Sequence, residues 1–268
     1  MTLDLPLIIE PEDLHQHLHD PSLLIVDLSS PQNFSQGHIP GAIPVSPQEL
    51  VAGTPPAPGK LPDSVQLNRL FSRLGLAPET HIVVYDDEGG GWAGRFIWTL
   101  DVIGHKNYSY LNGGLWAWRA AALPLTTDIA QTQPTHVEVK INTEPMMDKE
   151  TILSNLGKPN FKVWDARSRE EYLGQRHTAQ KNGHIPGAIH CEWTELMDRN
   201  ADLRIRADAM DYLLNKGFTK SQTIVTHCQT HHRSGFTYLV GKLLGFTIKA
   251  YPGSWSEWGN SPDTPVES

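Results

Sequence analysis

Gly37-His38-Ile39-Pro40-Gly41-Ala42-Ile43 returns residue for residue as Gly183-His184-Ile185-Pro186-Gly187-Ala188-Ile189. Seven identical residues in order, 146 positions apart, are far beyond chance, so the chain is read first as a duplication. Other landmarks follow in register. Leu24-Ile25-Val26-Asp27 matches Lys162-Val163-Trp164-Asp165 at an offset of 138, as Phe34 matches Tyr172. The offset then grows by eight, which places an insertion of the second copy within Leu173 to Asn182. Ile82-Val83-Val84-Tyr85-Asp86 matches Ile224-Val225-Thr226-His227-Cys228 at 142. Gly113, Trp116 and Trp118 match Gly253, Ser256 and Trp258 at 140. A unit of half the chain is too long for a solenoid and reads as two homologous domains.

Each copy carries the same order of elements. A short apolar run ending in Asp27 or Asp165 reads as a buried strand, and so does Ile82–Tyr85 or Thr223–His227. Phe236, Leu239, Val240, Leu243 and Leu244 then fall on one face of a helix starting near Ser234 or Gly235, with Gly245 as its stop. Phe96, Ile97 and Leu100 before Gly104 do the same in the first copy, and Thr247–Tyr251 reads as a further strand. Strand and helix alternating at this spacing predict an α/β fold: two domains, each a mostly parallel sheet flanked by helices. The expected division is 1–128, a polar linker at 129–135 and 136–268, within the polar stretch Thr126 to Thr135.

Composition narrows the function. The 268 residues hold 22 Lys+Arg against 30 Asp+Glu, a net charge of −8 with no polybasic run, which argues against nucleic acid or anionic membrane as partner. No apolar stretch nears the ~18 residues of a membrane span, and the N-terminus lacks a signal-peptide pattern. Two cysteines, Cys191 and Cys228, are too few for a disulfide scaffold, so a reducing, cytoplasmic setting is expected.

Parallel sheets place their sites at the carboxyl ends of strands, and Cys228 stands there. A tight loop, Gln229-Thr230-His231-His232-Arg233, joins it to the helix. Backbone N–H groups in such a turn converge on its centre, and the helix end adds partial positive charge. With Arg233, His231 and His232 as cations, the Cys228 thiol should ionise readily. The competing readings are a small buried hydrophobe and a metal ligand beside the histidines. No second cluster completes a tetrahedral metal site. Cys191 lacks a comparable loop and reads as structural, and Trp116, Trp118, Trp255 and Trp258 read as core. Gly89-Gly90-Gly91 lacks the Lys-Ser/Thr of a phosphate loop.

Asp165-Ala166-Arg167, Gly183-His184-Ile185-Pro186-Gly187-Ala188 and the Cys228 loop, duplicated in outline, resemble the tandem-domain rhodaneses, the thiosulfate/mercaptopyruvate sulfurtransferase family. The resemblance covers nearly the whole chain. It implies two rhodanese-like domains, the first without a catalytic cysteine, the second carrying a persulfide on Cys228. Asp86 stands where the cysteine would be, and Ser29 where Arg167 would be, so one site per chain is expected. The loop departs from Cys-Arg-Lys-Gly-x-Thr of thiosulfate types and Cys-Gly-Ser-Gly-x-Thr of mercaptopyruvate types, and looks like a variant of some bacterial members. Its cations favour an anionic donor such as thiosulfate, with a thiophilic acceptor such as cyanide.

The residues expected to meet the donor are Gln229, Thr230, His231, His232 and Arg233, together with Arg167, which the resemblance assigns to the sulfonate end of thiosulfate. The competing reading of Arg167 is a salt bridge with a carboxylate. No cofactor or metal is implied. Two other functions compete. His227-Cys228-x4-Arg233-Ser234 is close to the His-Cys-x5-Arg-Ser/Thr loop of cysteine phosphatases, but a loop one residue shorter makes a ring suited to a sulfur atom. A sulfur-carrier or regulatory module without turnover is the third reading.

Overall fold

The computed structural model describes residues 3–268. In chain order the first half contains β1 (Ile8–Ile9), α1 (Pro11–His17), β2 (Leu23–Asp27), α2 (Pro31–Gln36), β3 (Ala42–Pro44), α3 (Ser64–Leu74), β4 (His81–Tyr85), α4 (Gly91–Ile103), β5 (Tyr108–Leu111) and α5 (Gly114–Ala120). The second contains α6 (Lys149–Asn155), β6 (Phe161–Asp165), α7 (Arg169–Tyr172), β7 (Ile189–His190), β8 (Met197–Asp198), β9 (Arg204–Ile205), α8 (Ala209–Lys216), β10 (Thr223–His227), α9 (Arg233–Leu243), β11 (Thr247–Ala250) and α10 (Ser254–Trp258). The main sheets are parallel, ordered β1-β5-β4-β2-β3 and β11-β10-β6-β7. Met146 bridges Ala250 in parallel at the edge of the second, where the first sheet has β1. Among the described residues no helix is long and apolar enough to cross a membrane.

The strands form where short apolar runs are buried on both faces, as in the fully buried β4. α3 shows how a helix is fixed locally. Asp63 caps its first turn by accepting from Gln66 N at 2.8 Å, Leu67, Leu70, Phe71 and Leu74 form its buried stripe, and Gly75 ends it in the left-handed region.

The repeated heptapeptide does the same work twice. His38 stacks on Phe34 and His184 on Tyr172, each pair with ring centroids 3.7 Å apart. Each histidine N–H donates to a residue late in its own half, His38 to Thr126 O at 3.0 Å and His184 to Glu267 O at 2.7 Å. Gly41 (φ +84°) and Gly187 (φ +72°) turn the chain in a conformation that side chains resist, aiming Ala42 into β3 and Ile189 into β7. The motif thus closes each domain on itself.

The two halves meet along α4 and α9, which cross at Gly94 and Gly235. A Cβ at Gly235 would lie 2.6 Å from Gly91 O and still closer to the backbone of Arg95, so only glycine permits this approach. Asp101 of α4 fastens the crossing. It accepts from Tyr238 (2.9 Å) and Lys242 (2.6 Å) of α9, and from Tyr108 and Lys106 of its own half.

Between α5 and α6 the chain forms no helix or strand, and the polar stretch at 129–135 lies inside this longer segment. It is tied to the first half by Thr135 N to Ser72 O (3.0 Å), Val139 N to Asn68 Oδ1 (2.8 Å) and Asn142 N to Val102 O (2.8 Å). One expectation for the core fails. Trp118, Trp255 and Trp258 are buried, but Trp116 is 43% exposed, because its indole reaches over the surface to donate to Asp87 O. α9 begins at Arg233, slightly before the expected start, so the arginine belongs to the helix's first turn.

Candidate active site

β10 delivers Cys228 at its carboxyl end, and α9 leaves five residues later, giving the strand–loop–helix turn that the sequence indicates. The thiol is buried, with 1% of the residue exposed. Gln229, Thr230, His232 and Arg233 form a partly exposed rim, and His231 turns inward in the left-handed region (φ 57°). Among the described residues, none of the N–H groups of Gln229 to Arg233 donates to a carbonyl or side chain. They remain available to an anion at the loop's centre.

Burial pushes the Cys228 thiol up, but several groups together outweigh it and leave the thiol below its ordinary value. The opposing groups are, in order, the Arg233 charge, the Ser234 hydroxyl and N–H, and the His232 charge. Ser234 Oγ lies 3.5 Å from the sulfur. Cys191 lacks such partners, and burial above all pushes its thiol up to about 12.

Of the three cations the sequence predicts, Arg233 and His232 stand against a carboxylate each, and His231 does not. Arg233 is held by Glu171, which accepts two hydrogen bonds at 2.6 and 3.0 Å. His232 stacks on Trp92 of α4 at 4.4 Å, and its Nε2 pairs with Glu88. Burial pulls the His232 imidazole down, yet Glu88 reverses this and holds it above its ordinary value. His231 is a correction. It is buried against Trp98, its ring centroid 4.6 Å away, and burial drives its pKa well below 6.5. It is a neutral ring bonded through Nδ1 to Ser234 Oγ at 2.7 Å, not a cation facing the donor.

Arg167 is the second correction. It is fully buried, donates to both oxygens of Asp165 (Nε to Oδ1 2.9 Å, Nη2 to Oδ2 2.5 Å) and to Gly183 O, and lies over Trp255 at 4.2 Å. The salt bridge of its competing reading is what the structure contains, and the buried Nη1 is left without a partner. Gln229 Nε2 donates to Thr178 O at 3.1 Å, so the loop is tied to the segment inserted in the second copy. The Thr230 carbonyl packs against Gly59 of the first half so closely that a Cβ there has no room.

The matching loop of the first half displays the cradle with an anion in it. Asp86 Oδ1 accepts from the N–H groups of Glu88 (3.1 Å), Gly89 (3.1 Å) and Gly90 (2.8 Å), and Oδ2 accepts from Ala93 N at 3.0 Å. At the offset of 142 the first three correspond to Thr230, His231 and His232. The carboxylate oxygen stands in for an atom one bond beyond a cysteine sulfur. Glu88, Trp92, Trp98 and Gly59 were missed in the sequence, because nothing local marks a contact across some 140 residues.

Comparison with known proteins agrees with this geometry. Residues 10–121 and 148–261 each match the model described as rhodanese-like domain. A thiosulfate sulfurtransferase of Pseudomonas aeruginosa is 54% identical over 98% of this chain and 98% of its own length. Another, of Azotobacter vinelandii, is 53% identical over 98% and 97%. The crystal structure of a 3-mercaptopyruvate sulfotransferase from Escherichia coli is 25% identical, covers 94% of this chain and 99% of that one, and superposes with a TM-score of 0.79.

Proposed function

This chain belongs to the rhodanese-like family, and from that membership we propose how it works as a thiosulfate sulfurtransferase, with Cys228 as the residue that carries the sulfur. The thiolate attacks the outer sulfur of thiosulfate. A new S–S bond forms at Cys228 as the bond to the sulfonate sulfur breaks, and sulfite leaves with the electron pair. The persulfide anion is then attacked by a thiophilic nucleophile such as cyanide. Thiocyanate departs, and the Cys228 thiolate returns with no net oxidation of the protein.

Each group has a physical part. Arg233 and His232 offset the charge of a dianionic donor approaching a thiolate, which would otherwise repel it. The N–H groups of Thr230, His231 and His232 receive the terminal sulfur as its charge develops. The observation that carries this reading is the Asp86 carboxylate, which occupies the homologous cradle and accepts from the three matching N–H groups of Glu88, Gly89 and Gly90. Arg167 acts from behind, by fixing Asp165 at the end of β6 beside His227. Both cysteines are free, which suits a reducing, cytoplasmic setting.

Intact-protein mass spectrometry after incubation with thiosulfate tests the assignment. One added sulfur is expected in the native protein and in Cys191→Ser, and none in Cys228→Ser. Sulfur retained on Cys228→Ser would place the carrier elsewhere.

A further inference from the structure

Two arginines are fully buried, and they differ in one respect. Arg167 lies against a carboxylate. Arg95, in α4, has no carboxylate within ion-pairing distance among the described residues. Its donors end on three carbonyls, Leu50 O at 2.7 Å, Gly59 O at 2.9 Å and, at the long limit, His231 O at 3.5 Å, while Nε has no partner. Its guanidinium lies 4.5 Å over Trp98, the ring that His231 meets edge-on. A desolvated cation costs several kcal/mol unless an opposite charge offsets it. Carbonyl dipoles do this in part.

The fold does not ask for this charge. At the matching position of α9 stands Thr237, whose hydroxyl bonds to Thr226 inside the same half. We infer that Arg95, from the half without a cysteine, is a positioning residue for the sulfur site: it holds the His231 peptide and supplies a positive charge that only the Cys228 sulfur anion balances.

Burial lowers the Arg95 pKa to about 9, and the one influence raising it again is the Cys228 thiolate. The other groups facing that sulfur are Arg233, His232, neutral His231 and the Ser234 hydroxyl from the loop and α9. Ser254 lies at the start of α10, His227 and Asp165 stand behind on β10 and β6, and Arg167 lies just past β6. Arg233 and His232 each have a carboxylate of their own. Arg233 leads the cations acting on that sulfur, and Arg95 adds to it as the one without a carboxylate of its own. It therefore favours the thiolate over the thiol and the persulfide anion over its protonated form.

The test is iodoacetamide labelling of Cys228 against pH in the sulfur-free protein, for Arg95→Gln and Arg95→Lys. Gln keeps hydrogen bonding and loses charge, so the midpoint should rise by about one pH unit, or about tenfold less thiolate below it. Lys should restore a midpoint near the native one. Asp101→Asn, which loosens the same helix crossing without facing the sulfur, should leave the profile where it is. An equal displacement in the Gln and Lys variants, none in either, or one as large in Asp101→Asn would overturn the inference. In the native protein, the Arg95 guanidinium NMR signals should move as Cys228 titrates, and signals that stay fixed would also overturn it. The inference rests on Cys228 as the sulfur carrier, but labelling reports the thiolate whether or not sulfur is transferred. Failure of that assignment would appear instead in the mass of the thiosulfate-treated Cys228→Ser protein.

Discussion

A cysteine placed at Asp86 in a Cys228→Ala protein should not make a second sulfur site, even though the cradle is complete there. The carboxyl now at that position measures the local field. Burial first, and the neighbouring Glu88 carboxylate second, raise the Asp86 pKa from 3.8 to about 6, despite hydrogen bonds from Ala93, Gly90 and Glu88 that pull the other way. The same opposition of about two units, applied to a thiol of reference pKa about 8.5, puts it above about 10. At pH 7.5 only about one thiol in a thousand would then be ionised. The loop cannot be given its own arginine either. Gly91 stands at the Arg233 position, and a Cβ there would lie 2.6 Å from His232 Nε2 and 2.7 Å from Glu88 Oε1. Ser29, at the Arg167 position, leaves Asp27 bonded to Tyr85 instead of a guanidinium. The assay is the rate of sulfur loading from thiosulfate, read by intact mass, with iodoacetamide labelling of the new cysteine alongside. Loading within tenfold of the native rate would refute the argument that a cradle of N–H groups without its own arginine is insufficient.

Three further outcomes are expected. In Glu88→Gln the His232 proton loses the carboxylate that holds it, so the Cys228 labelling midpoint should rise, and an unchanged profile would show that His232 does not act on the sulfur. Arg167→Met leaves Asp165 buried and unpaired, which should cost about 3–5 kcal/mol in urea denaturation; a variant of native stability with only a raised KM for thiosulfate would return Arg167 to the donor. Burial pushes Asp101 up, but Lys242 leads the groups that bring its carboxyl below the ordinary value. Its contribution is thus present above the unfolded pKa of about 3.9 and lost as pH falls through the folded value. The stability gap between native protein and Asp101→Asn should be wide at pH 7 and narrow below pH 3, and a gap of constant width would contradict the linkage.

The fold was legible because its signals are local. Short continuous apolar runs mark β4 and β10, a 3.6-residue period marks α9, and an exact heptapeptide fixes the register of the two halves. The position of Cys228 at a strand end was legible for the same reason. The charge state of its neighbours was not. His231 and His232 are adjacent and chemically identical, yet one lies against Trp98, where burial holds its pKa well below 6.5, while the other meets Glu88, which raises its pKa. Arg167 differs in another way: its partner Asp165 ends β6 two residues earlier, and the bend that follows lets Asp165 Oδ1 accept from both the backbone N–H and the Nε of Arg167.

The crossing of α4 and α9 at two glycines has the geometry of a subunit interface folded into one polypeptide. In a symmetric pair of identical chains, any side chain lent to the neighbour's loop is lent back, so Glu88 could not sit beside one site without also sitting beside the other. Joining the halves through residues 121–148 frees them from that reciprocity, because each position can now change alone. It also keeps the lender close whatever the protein concentration, at the millimolar effective levels of a short tether. Diluting the enzyme should therefore never uncouple Glu88 from His232, whereas cutting the connection would make sulfur transfer depend on how much of each half is present.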